Sequence, residues 1–452
     1  MGNARKLTGA VWGLLSRTRV VSRHGVCNAP AGSSQRISAF QYQKQQFFGA
    51  LEKQTSGLQF TRKASNTATT SIPLFQGSIG KAETAKLLVE KGVKAQKQVG
   101  YWLFGCSAWV FSMVIIGGVT RLTRSGLSMT DWNFLGGFPP TDSSKWEAEF
   151  EKYKASPEYK RVNKGMSIED FKFIYWIEYG HRMWGRGLGV FFTGPFIYFL
   201  SKGYITRQLA LRLGLLFGLG IGQGFVGWWM VKSGLEEPES PYRQPKVSAY
   251  RLASHLMAAF GIFSGLFWTA LSVVRPESHY QGVDFVRGSA KLRKIAIPIA
   301  VLVGLTAASG AFVAGNDAGH AFNTFPLMGD TWIPDGLLEL QPWSRNFFEN
   351  TATVQLDHRI LALTTLTSVV AMSLLARKLT LEPHIRRLIN LTLGVSVLQV
   401  TLGISTLLLY VPVSLGAAHQ AGALSLFASV VALLHALRKP SPAALRTLVK
   451  PL

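Results

Sequence analysis

Between Tyr101 and Leu437 the chain is divided into eight long stretches that carry little charge. The first, Trp102–Val119, carries none. Such a run cannot leave backbone N–H and C=O groups unpaired in hydrocarbon, so it must be helical, and it is long enough to cross a bilayer. Eight spans are predicted: Tyr101–Val119, Ile174–Leu200, Leu209–Val231, Leu252–Val274, Ile295–Val313, Leu356–Ala376, Leu388–Tyr410 and Leu415–Leu437. The second and sixth carry charge near their starts. An even number of crossings puts both ends of the chain on one side. The composition agrees, at 48% hydrophobic and 16% charged with 45 glycines, which is too apolar and Gly-rich for a soluble domain of this length.

A net charge of +24 would suit a nucleic-acid binder, but its distribution excludes that reading. Residues 1–66 hold ten Lys/Arg and one acid, Glu52, with many Ser, Thr and Gln. That is the composition of a mitochondrial transit peptide. Residues 67–100 follow as a polar, Lys-rich approach, helical from Lys81 to Lys97. The segments on the terminal side (67–100, 201–212, 275–294, 377–387 and 438–452) hold 21 Lys/Arg against five acids. The opposite loops (121–172, 232–251 and 314–357) hold 14 against 17. The positive-inside rule then places both termini in the matrix of a mitochondrial inner-membrane protein, with the acidic loops outside. Of two cysteines, Cys27 lies in the leader and Cys106 in a span, so there is no pair for a disulfide and no C-x-x-C-H for covalent haem attachment. Cys106 reads as a small buried apolar residue.

The chain repeats internally. His181-Arg182 recurs as His358-Arg359, and Gln223…Gly227 as Gln399…Gly403. The loops after the first and fifth spans also correspond, at Ser125-Gly126 and Ala318-Gly319. Two four-helix halves follow, 101–274 and 295–437, joined by a matrix linker 275–294 and followed by a tail 438–452. With an even number of helices each, they are parallel repeats.

Nine histidines sort by depth. His24 is in the leader, His279 and His384 are in matrix loops, His320 is in an outer loop, and His435 is at the matrix end of the last span. All five read as surface or interfacial residues. His181, His255, His358 and His419 each fall within the first two turns of an even-numbered span, at one depth near the outer face. Facing histidines on neighbouring helices of a bundle can hold a haem axially. Zinc would want four ligands at one point, with Cys or carboxylate among them. A flat macrocycle needs small residues for clearance and aromatic walls, which Gly185, Gly187, Gly224, Gly227, Trp184, Trp228 and Trp229 supply. The expected fold is therefore an all-α integral membrane protein of two four-helix bundles, each with a bis-His haem site, His181 with His255 and His358 with His419.

Arg182 and Arg359 follow the first ligand of each half. Two roles stay open for them: pairing with haem propionates or snorkelling to headgroups. The halves differ three residues before that ligand, where Glu178 in the first corresponds to Gln355 in the second. Only one site therefore has a titratable carboxylate, which assigns chemistry to the first half, unless Glu178 merely pairs with Arg182 or Arg186.

The runs Gly117–Trp132, Phe171–Arg186, Gly222–Leu235, Ser309–Pro334, Leu356–Arg359 and Ala417–Ala423 resemble haem A synthase, in its mitochondrial inner-membrane form. The resemblance covers about 100 to 437. It implies oxidation of the C8 methyl of haem O to a formyl group by two successive hydroxylations, giving haem A for cytochrome c oxidase. It further implies haem O as substrate on His181 and His255, haem b as cofactor on His358 and His419, and Glu178 as the essential glutamate. As partners it implies membrane lipid, a ferredoxin-type electron donor, haem O synthase, oxidase assembly factors and further copies of the chain. Bacterial members often carry a cysteine pair in the first outer loop; this chain has none there, which excludes a thiol mechanism in that loop. Loop 121–172 is instead long and acidic, suited to docking a partner or capping the haem pocket. Two other readings stand beside this one: a two-haem electron-transfer cytochrome such as a quinol or ferric reductase, and a transporter built on parallel repeats.

Overall fold

A computed structural model describes residues 87–133, 136–238, 240, 244–278 and 280–449. The leader 1–66 with His24 and Cys27, the approach 67–86, His279 and residues 450–452 lie outside the described residues.

Eight helices of 24 residues or more dominate the described residues: α1 Gly92–Leu122, α2 Ile168–Ser201, α3 Arg207–Leu235, α4 Ala249–Val274, α5 Val283–Gly315, α6 Thr351–Ala376, α7 Pro383–Leu408 and α8 Val413–Ala436. At 1.5 Å per residue each exceeds the roughly 30 Å of a hydrocarbon core. Seven are also apolar enough to cross a membrane: α1 and α3 to α8. The sixth predicted span, despite its charged start, is among them. The second, α2, is not: Glu169, Asp170, Lys172, Glu178, Arg182 and Arg186 crowd its first half, and only the stretch from Gly187 onward is free of charge.

Polar residues at the ends of the apolar runs extend the helices rather than stopping them, because Lys, Arg and Gln are good helix formers. The structure differs from the sequence reading at three places. The linker 275–294 becomes helical at Val283, where α5 begins. The tail after 437 forms a further helix, Pro442–Val449. Helix was expected from Lys81, yet residues 87–91 are not helical. There Val89 bridges to Ile205, Glu90 N–H donates to Tyr204 O at 2.8 Å, and Lys91 turns the chain in the left-handed region before α1. Side-chain oxygen caps set other starts: Ser167 accepts from Asp170 N at α2, Thr206 from Leu209 N at α3, and Asn350 from Thr353 N at α6.

The packing closes two rings. In the first, α1 touches α2 and α4, and α3 touches α2 and α4. In the second, α5 touches α6 and α8, and α7 touches α6 and α8. The rings meet along a seam of α1 and α4 against α5 and α8. Each ring has its own apolar core, around Leu103, Phe260 and Ala270 in one and Leu292, Met372 and Ile385 in the other. Phe260 and Phe427 join them across the seam, ring centres 5.5 Å apart. Outward, Leu211, Leu215 and Val301 are exposed, the surface a helix presents to lipid.

Loop 121–172 folds into two short helices, Ser143–Lys154 and Pro157–Arg161, packed on α2 and α3. Trp146 and Tyr153 lie against Phe171. Cys106 is a buried free thiol, as read from sequence.

Candidate active site

A single cavity of about 1280 Å³ runs through both halves near the ends of α1 and α5, and His181, His255, His358 and His419 all line it. This exceeds the roughly 300–1,000 Å³ of a pocket for one small ligand. Its walls are mostly apolar, with polar groups concentrated at the histidines and at one mouth.

Each histidine sits opposite a glycine of a neighbouring helix. A Cβ on Gly117 of α1 would lie 3.2 Å from His181 Nε2, and on Gly227 of α3 3.0 Å from His255 Cε1. In the second half, a Cβ on Gly310 of α5 would lie 3.1 Å from His358 Cε1, and on Gly403 of α7 2.8 Å from His419 Cε1. Clearance for the imidazoles thus comes from the backbone itself. One turn before Gly227 and Gly403, a glutamine fixes the partner helix. Gln223 Nε2 donates to His255 O at 2.6 Å, and Gln399 Nε2 to His419 O at 3.0 Å. The repeated Gln…Gly pairs are therefore one device used twice: the amide sets the helix and the glycine admits the ring.

The His358 and His419 rings lie 6.3 Å apart and nearly perpendicular. Two imidazoles bound to one metal through nitrogens about 2 Å away have ring centres roughly 6 Å apart, so His358 and His419 could together hold one metal centre. Ser309 Oγ lies 2.8 Å from His358 Nδ1, which leaves Nε2 for a ligand. The Nδ1 atoms of His255 and His419 are buried and without a partner among the described residues, as are the Oε1 atoms of Gln223 and Gln399. No cluster of three or more His, Cys, Asp or Glu that could hold a metal ion occurs among the described residues. Paired imidazoles, small residues and a wide apolar cavity fit haem in both halves.

Glu178 is buried at 3% exposure and its carboxylate is fully engaged. Oε1 takes Arg182 at 2.6 Å, while Oε2 accepts Ser128 Oγ at 2.7 Å and Met129 N–H at 2.9 Å. The predicted pairing with Arg182 is present; Arg186 instead donates to Asn133 O. Gln355 is equally buried and makes the mirror-image clamp. Its Oε1 takes Arg359 at 2.9 Å, and its Nε2 donates to Ala318 O and Ala321 O. The side chains hold the same place, but the loop offers donors to Glu178 and acceptors to Gln355.

Arg182 and Arg359 have a role that the sequence did not suggest. Arg182 donates to Met129 O and Asp131 O. Arg359 donates to Phe322 O, Thr324 O and Leu327 O. Each staples a loop over the helix that carries the neighbouring histidine. The charges at the mouth surround Asp317, whose carboxyl meets Arg121 at 2.7 Å and Lys246 at 3.7 Å. Burial would raise the Asp317 carboxyl, but Arg121, Arg124 and Lys246 outweigh it and hold it below its usual range.

Sequence sorting missed three residues. His320, read as a loop residue, lines the cavity, and burial lowers its pKa. Glu158, inside an acidic loop, is buried and also lines it. His435, read as surface or interfacial, is buried between Trp268, Ser272 and Arg438. Only His320 carried a signal, its place one residue after the repeated Ala318-Gly319.

The family model described as cytochrome oxidase assembly protein, COX15-CtaA, matches residues 100–431, from within α1 to within α8. The chain belongs to this family. A haem A synthase of Arabidopsis thaliana, "Heme A synthase COX15", is 58% identical over 452 residues, covering 99% of this chain and 97% of the relative. The protein of that name in Mus musculus is 46% identical over 76% of this chain and 83% of its own. A "Heme A synthase" of Nitrosospira multiformis is 47% identical over 76% and 94%. Relatives named as synthases lend no support to the pure electron-transfer reading.

Proposed function

We propose that this chain is a haem A synthase, oxidising the C8 methyl of haem O to a formyl group by successive hydroxylations and so supplying haem A to cytochrome c oxidase. Besides family membership, the observation that carries the reading is the pair of matched histidine sites that differ at one buried position, Glu178 against Gln355. We assign haem O to His181 and His255, beside the carboxylate, and haem b to His358 and His419. Bound haem b supplies single-electron transfer. The chain's own residues bind and enclose: the glycines opposite the histidines set ring clearance, the glutamines fix the ligand helices, and the stapled outer loops exclude water.

Glu178 places a negative charge against the substrate half of the cavity, where it stabilises positive charge developing at the methyl carbon. Its three hydrogen bonds hold that charge in position, which favours an electrostatic role over one that needs a mobile proton. In this reading α2 is the eighth span, its charged residues Glu178, Arg182 and Arg186 turned to the cavity and the outer loop. Both termini lie in the matrix and the histidine pairs near the outer face of the mitochondrial inner membrane. A ferredoxin-type donor, haem O synthase, oxidase assembly factors and further copies of the chain are the partners this reading implies.

Chromatography of haems extracted from cells with and without the chain tests the function. Haem A should appear only with it, and haem O should accumulate without it. Equal haem A in both would overturn the proposal.

A further inference from the structure

Loop 121–172 carries a second buried acid that the synthase reading does not use. Glu158 is 4% exposed, lies in the short helix Pro157–Arg161, and lines the cavity alongside Glu178. Among the described residues no Lys or Arg makes an ion pair with it. Its one side-chain hydrogen bond comes from Tyr153 Oη at 3.2 Å. Tyr153 is itself fully buried, stacked on Phe171, and accepts Asn163 Nδ2 at 2.7 Å. Asn163 is only half-buried, so hydrogen bonds run from near the loop surface to the cavity wall.

Buried carboxyls are normally paired or neutral, because ionisation without a partner is costly. Glu178 is the paired kind. Glu158 has a phenol instead, and such an acid can gain and lose a proton without breaking a salt bridge. The charged groups that act on it are Glu178 on α2 and Arg121 and Arg124 at the end of α1, beside Tyr153 in its own loop.

We propose that Glu158 is the proton-exchanging residue of the N-terminal half of the cavity, held by Tyr153 and serving the step in which a geminal diol loses water to leave the formyl group. In that step the carboxylate takes the proton of one hydroxyl as its oxygen forms the C=O bond. The C–O bond to the other hydroxyl breaks, and the departing oxygen receives a proton back from the carboxyl group and leaves as water. No electrons are exchanged, and Glu158 ends as it began. Burial raises the Glu158 carboxyl to about 7, with Glu178 adding to the rise while Tyr153, Arg124 and Arg121 oppose it. A group so placed changes form within the working pH range. The proposal rests on the synthase reading.

The experiment has two arms on the full-length protein. Infrared titration in detergent, without substrate, should show a protonated-carboxyl C=O band that shifts in D₂O and disappears near pH 7, and that is missing from Glu158→Gln. A spectrum unchanged by the substitution refutes the assignment, whatever the enzyme does. In the second arm, haem A formation by wild type should rise about tenfold per pH unit below about 7 and then level. Glu158→Gln should retain its haem and lose that rising limb, and Tyr153→Phe should move it to higher pH. A limb that persists in Glu158→Gln overturns the proposal, and if that variant does not fold, a limb unmoved in Tyr153→Phe does so. Wild type making no haem A at any pH would refute the synthase reading instead, leaving the infrared result to decide Glu158.

Discussion

Replacing Glu178 by Gln tests the asymmetry directly, since nature places Gln at the matching position of the second half. The environments are not equivalent. Around Gln355 the loop presents Ala318 O and Ala321 O, acceptors that an amide nitrogen can serve. Around Glu178 it presents Ser128 Oγ, Met129 N–H and the Arg182 guanidinium, and the last two can only donate. If a Gln at 178 turns its oxygen to Arg182, its NH₂ faces the Met129 N–H. If it turns the oxygen to the loop, the NH₂ faces a cation. Ser128 can rotate to accept, but one donor stays unmet, at about 1–3 kcal/mol, and a charge-assisted bond is weakened by a comparable amount. The local penalty is about 2–6 kcal/mol, enough to loosen residues 125–131 and too small to unfold eight packed helices. His181 and His255 are set by α2 and α4, so haem content should stay near wild type. Haem A formation should fall by about 10²-fold or more, as when a preorganised electrostatic partner is removed, and haem O should accumulate. Haem-to-protein ratio and chromatography of extracted haems read both. A normal haem A to haem O ratio, with haem retained, would refute the role given to Glu178.

Three further outcomes follow from the geometry. His358→Ala or His419→Ala should each remove a low-spin b-type component from the spectrum of purified protein, and an unchanged spectrum would sink the assignment of that pair. Gly403→Ala should lower haem occupancy in the second half, because its Cβ would lie 2.8 Å from His419 Cε1. Alanine favours a helix over glycine by about 1 kcal/mol, so a drop in haem-to-protein ratio without a drop in melting temperature isolates the clearance effect. The Glu158 carboxyl, raised to about 7 from 4.5, keeps a proton in the folded state that the unfolded state has released. Between those values stability should therefore fall as pH rises, by about 3 kcal/mol in all. Melting curves at pH 5 and pH 8 should show that fall in wild type and a smaller one in Glu158→Gln; parallel curves would contradict it.

Much of this was legible because hydrocarbon imposes strong rules. Uncharged runs had to be helices, and the recurrence of His181-Arg182 as His358-Arg359 exposed the duplication. The depth argument also singled out His181, His255, His358 and His419, which all line the cavity. What escaped depends on the path of loops. Arg182 and Arg359 bond to carbonyls whose positions no periodicity encodes. Glu158 sits in a run of charge that reads as solvated, and only the packing of Tyr153 and Phe171 over it reveals that it is buried. The helix α2 was difficult to read because the charged residues that line the cavity, Glu178, Arg182 and Arg186, are the ones that lower its hydropathy. Helix ends moved because polar helix formers carry helices past the apolar run.

The seam has a consequence for how defects in this chain will sort. Gln420, the residue after His419, reaches across to α1, where its Nε2 donates to Val114 O at 3.0 Å and its Oε1 occupies the space where Gly118 would carry a Cβ. Gly117, beside Gly118, is the residue that makes room for His181. The Gln420 side chain and the adjacent pair Gly117-Gly118 therefore connect the two histidine pairs. Lesions near the lipid-facing rim should damage one half and spare the other. Lesions at Gly118 or Gln420 should behave as though they struck both, and two half-chains with lesions on opposite sides of this seam should complement each other poorly.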